Sequence, residues 1–81
     1  PLTVLIITLN EESNIARALK SVDWAEECLV IDSDSKDKTQ EIARSMGARV
    51  INRPWSGYGQ QKNFGLKEAK YDWVLSIDAD E

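Results

Sequence analysis

Four short aliphatic runs, at 2–8, 28–31, 48–51 and 72–77, divide the chain, and helix-periodic segments fill the gaps between them. The first run, LTVLIIT, is a near-continuous β-branched and aliphatic stretch, which predicts a strand covered on both faces. After it, Ile15, Leu19 and Val22 recur at i, i+4 and i+7 with Ala16 and Ala18 beside them, the pattern of a helix with one apolar stripe. The second run ends on Asp32. Asp37, followed three residues later by Gln40, resembles a capping box. It would open a helix whose apolar face is Thr39, Ile42, Ala43 and Met46, closed by Gly47 in a left-handed cap. Residues 52–59 read as a loop punctuated by Pro54, Gly57 and Gly59. A third helix is expected over 60–70. Gly65 in its middle costs about 1 kcal/mol relative to alanine, which predicts close approach of another backbone there.

Strand and helix alternating four strands deep calls for a parallel sheet with helices on its faces. Right-handed crossovers leave few arrangements. With the first three strands running outward and the fourth returning beside the first, the order is 3-2-1-4. The expected fold class is therefore α/β: a parallel Rossmann-like sheet with helices on both faces. It is the first half of a nucleotide-binding doubly wound sheet, with its switch point between strands 1 and 4.

Composition limits the partners. A net charge of -4 without a basic stripe argues against a nucleic-acid surface. Lysines and arginines are scattered, so attraction to a membrane surface is not encoded in this stretch. No apolar run approaches the roughly 20 residues of a membrane span, and no signal peptide is visible. The single Cys28 has no histidine anywhere to activate it, so it reads as core filler rather than a nucleophile. A lone thiol fits a reducing compartment, and a cytoplasmic location is expected. Eighty-one residues allow one small domain. Pro1 enters the first strand almost at once and Glu81 closes on the strongest motif, which reads as the front part of a longer protein.

The polar residues gather at one edge of the expected sheet. Strand 1 ends on Thr8, Asn10, Glu11 and Glu12; strand 2 on Asp32, Ser33, Asp34 and Ser35; strand 4 on Asp78, Asp80 and Glu81. Ligands of such sheets bind at that carboxyl edge. Asp78 and Asp80 stand at i and i+2 and would point the same way. Two neighbouring carboxylates repel unless a cation lies between them. Oxygen-only ligands suit Mg2+ or Mn2+, completed by water and phosphate. The plain alternative is a solvated acidic turn. Asp32 could accept a hydrogen bond from a base N–H or a ribose hydroxyl, or else cap the next helix, a task for which Asp37 is better placed. Lys62 and Asn63 are candidate donors to a nucleotide, although a solvated helical lysine is the usual case. Trp24, Trp55, Trp73, Tyr58 and Phe64 read as packing residues, a reading that Trp55 and Tyr58 fit least because they share a glycine-bearing loop.

The segments Leu5 to Glu12 (LIITLNEE), Val30 to Ser33 (VIDS) with Asp37 and Thr39, and Leu75 to Glu81 (LSIDADE) resemble family 2 glycosyltransferases of the GT-A fold. So do Gly47 with Ala48, the 55–59 loop (WSGYG), and Gln61, Lys62 and Asn63. The Asn-Glu-Glu, Trp-x-Gly and Asp-Ala-Asp-Glu variants look most like bacterial lipopolysaccharide-core glucosyltransferases and their relatives.

That resemblance implies transfer of a sugar, with inversion, from a nucleotide-sugar donor, commonly a UDP-sugar, to a glycan or lipid-linked acceptor. It implies that Thr8, Asn10 and Glu11 line the nucleoside pocket and that Asp32 contacts the base. Asp78 would approach the ribose or a metal-bound water, and Asp80 would hold the metal against the diphosphate. The general base would lie beyond residue 81, so residues 1–81 would be the donor-binding half, and peripheral membrane association of the parent protein is compatible with the resemblance. Asp34, Ser35 and Lys36 depart from the family pattern, in which a glycine or asparagine more often comes first. Two other readings stand beside this one: a haloacid-dehalogenase-type phosphatase, which also places Asp-x-Asp after an apolar strand, and a non-catalytic nucleotide-binding or assembly fragment. The 81-residue piece alone is expected to self-associate through strand 4, whose apolar residues would lie at a sheet edge.

Overall fold

Every strand pairing in the sheet is parallel. The computed structural model describes residues 1–80; Glu81, the last member of the acidic motif, lies outside the described residues. Strand β1 (Leu2–Thr8) is flanked by β2 (Glu27–Asp32) and β4 (Trp73–Asp78), with β3 (Arg49–Asn52) outside β2. The order is β3-β2-β1-β4, as the alternation predicted. Helices α1 (Ile15–Ser21), α2 (Thr39–Ser45) and α3 (Tyr58–Glu68) form the crossovers.

The unbroken apolar run of β1 has its explanation in the two layers that cover it. Val4 and Ile6 face one side, where they join Val30 and the stripe Ile15, Ala18, Leu19 and Val22, together with Ala43 of α2. Leu5 faces the other, where it packs with Leu29, Ile31 and, on α3, Phe64. Alternate residues of one strand thus enter opposite cores. Gly65 permits the second layer: a Cβ there would sit 2.5 Å from Leu5 Cδ1 and 3.2 Å from Ile31 Cγ1. The close approach is real, but side chains make it rather than a second backbone.

Several local expectations change. The helix α3 starts at Tyr58 and ends at Glu68 instead of spanning 60–70. Gly47 does adopt the left-handed conformation, φ +87°, but the capping box does not form. Lys38 occupies the N-cap without a side-chain bond, Asp37 accepts from the Thr39 N–H at 3.0 Å, and the Gln40 amide turns away to Asp32. A buried carboxylate needs that donor more than an exposed helix end does. Met46, expected on the apolar face, is exposed, and Ser33, in the polar segment after β2, is buried. Among the aromatics only Phe64 packs as expected. Trp24, Trp55, Tyr58 and Trp73 are exposed, Trp73 on the edge strand at 74%.

The amino ends of the strands carry a network of their own. Glu27 accepts from Thr3 Oγ1 and from the Lys70 N–H, both at 2.8 Å, while Arg49 bridges Glu27 and Glu68. These charges satisfy one another and fasten α3 to the sheet. Cys28 is half-buried; burial pushes its thiol pKa up and nearby Asp23 and Glu27 add to the effect, so it is a poor nucleophile.

Candidate functional site

At the carboxyl edge, where the strand order reverses between β1 and β4, lies a groove of about 430 Å³. Its floor and near wall come from the end of β1: Ile7, Thr8, Leu9 and Glu11. Asp78, Ala79 and Asp80 form the acidic wall, and Trp55 and Tyr58 form an aromatic one. The β4 register pairs Ile7 with Asp78, which brings the acidic segment beside the end of β1. Ala79 is buried in the core while Asp78 and Asp80 on either side are exposed. All three residues of this segment line the groove, so the two carboxylates border the same hollow. A second hollow, about 370 Å³, lies at the opposite edge between Leu19, Cys28 and Gly47. It lies away from the carboxyl ends of the strands and receives none of the three polar clusters.

Behind the groove lies a hydrogen-bonded layer centred on Asp32, which is fully buried. Its Oδ1 accepts from Thr8 Oγ1 and Ser35 Oγ, both at 2.6 Å. Its Oδ2 accepts from the Ser35 N–H and from Gln40 Nε2, both at 2.7 Å. Burial pushes the Asp32 pKa up, but the bonds from Ser35, Thr8 and Gln40 outweigh it and hold the carboxyl below its ordinary value. Asp32 therefore lies behind the groove wall with both oxygens engaged, and it bears on the groove through Thr8.

The neighbouring loop is braced from the same side. Asn10 takes a left-handed backbone, φ +54°; its N–H donates to Ser35 Oγ at 2.7 Å and its Oδ1 accepts from the Lys36 N–H at 2.9 Å. The Glu11 N–H donates to Thr39 Oγ1 at 2.8 Å. Asp34 is also left-handed, φ +63°. That conformation explains why glycine or asparagine suits the position and why aspartate, which tolerates it, can stand there.

The structure thus brings Thr8, Glu11, Asp78 and Asp80 together, sets Asn10 and Asp32 in the layer behind, and leaves Lys62 partly buried on α3, away from the groove lining. Sequence reasoning missed Arg53, gave Gln40 a capping task and Gln61 no structural one, and placed Trp55 and Tyr58 among the packing residues although both are exposed. The signal for Trp55 and Tyr58 was their glycine-bearing loop, where two large aromatics have no strand or helix face to bury them.

The donor set bears on a metal. No group of three or more His, Cys, Asp or Glu side chains placed to hold an ion occurs among the described residues. Asp78 and Asp80 bring two carboxylates, hard oxygen donors, to the groove lining. That fits Mg2+ or Mn2+, which commonly take one or two carboxylates and complete the shell with water and phosphate.

A profile described as glycosyl transferase family 2 matches residues 3–81. The chain belongs to glycosyl transferase family 2. An uncharacterized glycosyltransferase of Rickettsia bellii (strain RML369-C) is 51% identical over 81 residues, 99% of this chain and 28% of that protein. The lipopolysaccharide core biosynthesis glycosyltransferase LpsC of Rhizobium meliloti (strain 1021) is 36% identical over 86 residues, covering 100% of this chain and 32% of LpsC. Glucosyl-3-phosphoglycerate synthase from Mycobacterium tuberculosis in complex with UDP superposes with a TM-score of 0.88 at 30% identity, over 99% of this chain and 34% of that one. The same enzyme with Mn2+, UDP and glucosyl-3-phosphoglycerate gives 0.86 at 30% identity, over 96% and 33%. The chain therefore spans about a third or less of these family members, and its fold matches the N-terminal part of a GT-A domain. Membership of this family sets the haloacid-dehalogenase-type reading aside.

Proposed function

We propose that residues 1–81 are the donor-binding part of an inverting glycosyltransferase that moves a sugar from a nucleotide-sugar, a UDP-sugar, to a glycan or lipopolysaccharide-core acceptor. The observation that carries this reading is the groove at the switch point, with Asp78 and Asp80 on one wall and Thr8 and Glu11 on the other. The mycobacterial enzyme of matching fold binds UDP and Mn2+, and LpsC, by its name, works on lipopolysaccharide core. Both support the assignment of donor and acceptor class.

Each residue then has a task. Asp78 and Asp80 would hold Mg2+ or Mn2+, which when bound supplies positive charge to the departing nucleoside diphosphate. Thr8 and Glu11 would line the nucleoside pocket, with Asn10 fixing the loop between them and Asp32 fixing Thr8. Lys62 would reach the donor only by extending from α3, and its role in donor binding is the weakest of the set. The base that takes the acceptor proton, and the acceptor site itself, we assign to the remaining length of the protein. No described helix is long and apolar enough to cross a membrane; we place the reaction in the cytoplasm, at the inner face of the membrane where a lipid-linked acceptor is used.

Calorimetric titration of UDP into the full-length protein, with Mn2+ and with EDTA, tests this reading. Tighter binding with the metal is expected. Equal affinity in EDTA would exclude a metal bridge between the carboxylates and the diphosphate.

A further inference from the structure

Gln61 is a fully buried amide in the first turns of α3. Its Nε2 donates to Ser33 Oγ at 3.1 Å and to the Arg53 carbonyl at 2.8 Å. Its Oε1 accepts from Arg53 Nη1. The same Nη1 donates to Ser56 Oγ at 2.7 Å, the guanidinium lies 5.1 Å from the centre of the Phe64 ring, and the Arg53 N–H donates to the Asp32 carbonyl at 2.8 Å. The loop between β3 and α3 is thus wound around one side chain and tied to the end of β2. A buried amide is tolerated only when its polar groups are paired, so the loop inherits a single geometry from Gln61.

Between Arg53 and Ser56 stands Trp55, 54% exposed and lining the groove beside Tyr58. What separates Trp55 from the exposed Trp24 and Trp73 is its place in the lining of a polar groove, where an aromatic face suits the face of a base. Stacking on a ring already in place avoids the cost of ordering the loop on binding. We propose that Gln61 is a positioning residue that holds Trp55 as the wall on which the base of a nucleoside diphosphate stacks. The proposal rests on the donor reading above and names the part of the donor that the aromatic wall takes.

The test uses the full-length protein with Mn2+ and two probes, UDP and inorganic diphosphate. Trp55→Ala should weaken UDP roughly tenfold, the order expected for loss of one base stack, and leave inorganic diphosphate unchanged. Trp55→Phe should retain most of the UDP affinity. Gln61→Met, close in size but without the amide, should weaken UDP several-fold in the wild-type background and have no effect in the Trp55→Ala background. That non-additivity is what a purely structural role would not produce. If Gln61→Met melts below the assay temperature, Ser56→Ala, which removes one anchor of Arg53 on the loop, should show the same non-additivity at smaller amplitude. Additive effects would overturn the positioning role. Equal loss of UDP and diphosphate in Trp55→Ala, or unchanged UDP affinity, would overturn base stacking while leaving the donor reading intact. Failure of the wild-type protein to bind UDP would overturn both.

Discussion

Thr8 Oγ1 donates to Asp32 Oδ1 across 2.6 Å, between residues paired in register on adjacent parallel strands and both buried. This bond couples the groove to the layer behind it. Thr8 lines the groove, whereas Asp32 gathers Ser35 and Gln40 as well, so one carboxylate fixes the end of β1, the following loop of β2 and the start of α2.

The coupling has a pH signature. Burial raises the Asp32 pKa, and the bonds from Ser35, Thr8 and Gln40 more than offset it, so the folded value lies below the ordinary one. The unfolded chain, with its carboxyl at about 3.9, takes up the proton first as pH falls. Stability from Asp32 is therefore present above about pH 4 and lost as pH drops through the lower folded value. Asp32→Asn should destabilise the neutral protein by about 2–3 kcal/mol, because its amide hydrogens would face donors. Urea unfolding from pH 7 to 2 checks this: the gap between wild type and variant should narrow in acid. A gap that stays constant would mean that the charged form is not what these bonds stabilise.

Two glycines of α3 should respond in opposite ways to alanine. At Gly65 the new Cβ would collide with Leu5 Cδ1 and Cδ2, at 2.5 and 2.8 Å, inside a fully buried core. Overpacking costs roughly 1–3 kcal/mol against about 1 kcal/mol of gained helix propensity, so Gly65→Ala should be neutral to destabilising. At Gly59 nothing lies within 4 Å of the new Cβ, and Gly59→Ala should stabilise by about 0.4–1 kcal/mol. Thermal melting of the pair decides the matter; a stabilised Gly65→Ala would mean that Leu5 has room to move.

Hydrophobic patterning carried the fold in a readable form because the two-sided burial of Val4, Leu5 and Ile6 leaves no solvent face to interrupt the run. The strand order followed from alternation and handedness once the first three strands were taken to run outward and the fourth to return beside the first. Asp78 closes β4 and Asp80 stands on the turn after it, and both border the groove; what the sequence offered was their place at the carboxyl end of a strand beside the switch point. The exchange of partners among short polar side chains was not. Gln40 could cap its own helix or reach Asp32, and the choice depends on a buried charge 8 residues away in sequence. Likewise Gln61 and Arg53 are ordinary polar residues in sequence, and their burial follows only from how the β3–α3 loop folds onto Ser33. Whether Asp32 meets solvent or a layer of donors was equally beyond pattern reading, since both suit the start of a loop.

The left-handed backbone at Asn10 gives a third expectation. Asn10→Gly should lose only the bond from the Lys36 N–H, a loss near 1 kcal/mol, because glycine adopts φ +54° freely. Asn10→Val should cost roughly 1–2 kcal/mol more, since a β-branched side chain is strained there. Urea denaturation of both variants measures the difference; equal stability would show that the loop relaxes out of the left-handed conformation.

Asp80→Asn should separate donor chemistry from folding. Asp80 is exposed on a turn just past β4, so its substitution removes little from either core, and the melting temperature of the full-length protein should stay within about a degree or two of wild type, as for most surface changes. Its place in the acidic wall predicts a different outcome for ligand binding. Charge placed where the leaving diphosphate gathers negative charge acts most strongly in the transition state, so turnover should fall by about 100-fold or more, and the advantage of Mn2+ over EDTA in UDP binding should largely vanish. Asp78→Asn should behave similarly but less severely if that residue meets the ribose or a metal-bound water rather than the ion itself. Asp32→Ala provides the contrast: it should weaken UDP through Thr8 while Mn2+ dependence persists, and it should lower the melting temperature as well. Turnover, calorimetry with and without metal, and melting, measured together on the three variants, give each residue its own pattern. A fall in melting temperature of Asp80→Asn matching its loss of activity would make Asp80 a structural residue and remove the metal from the site.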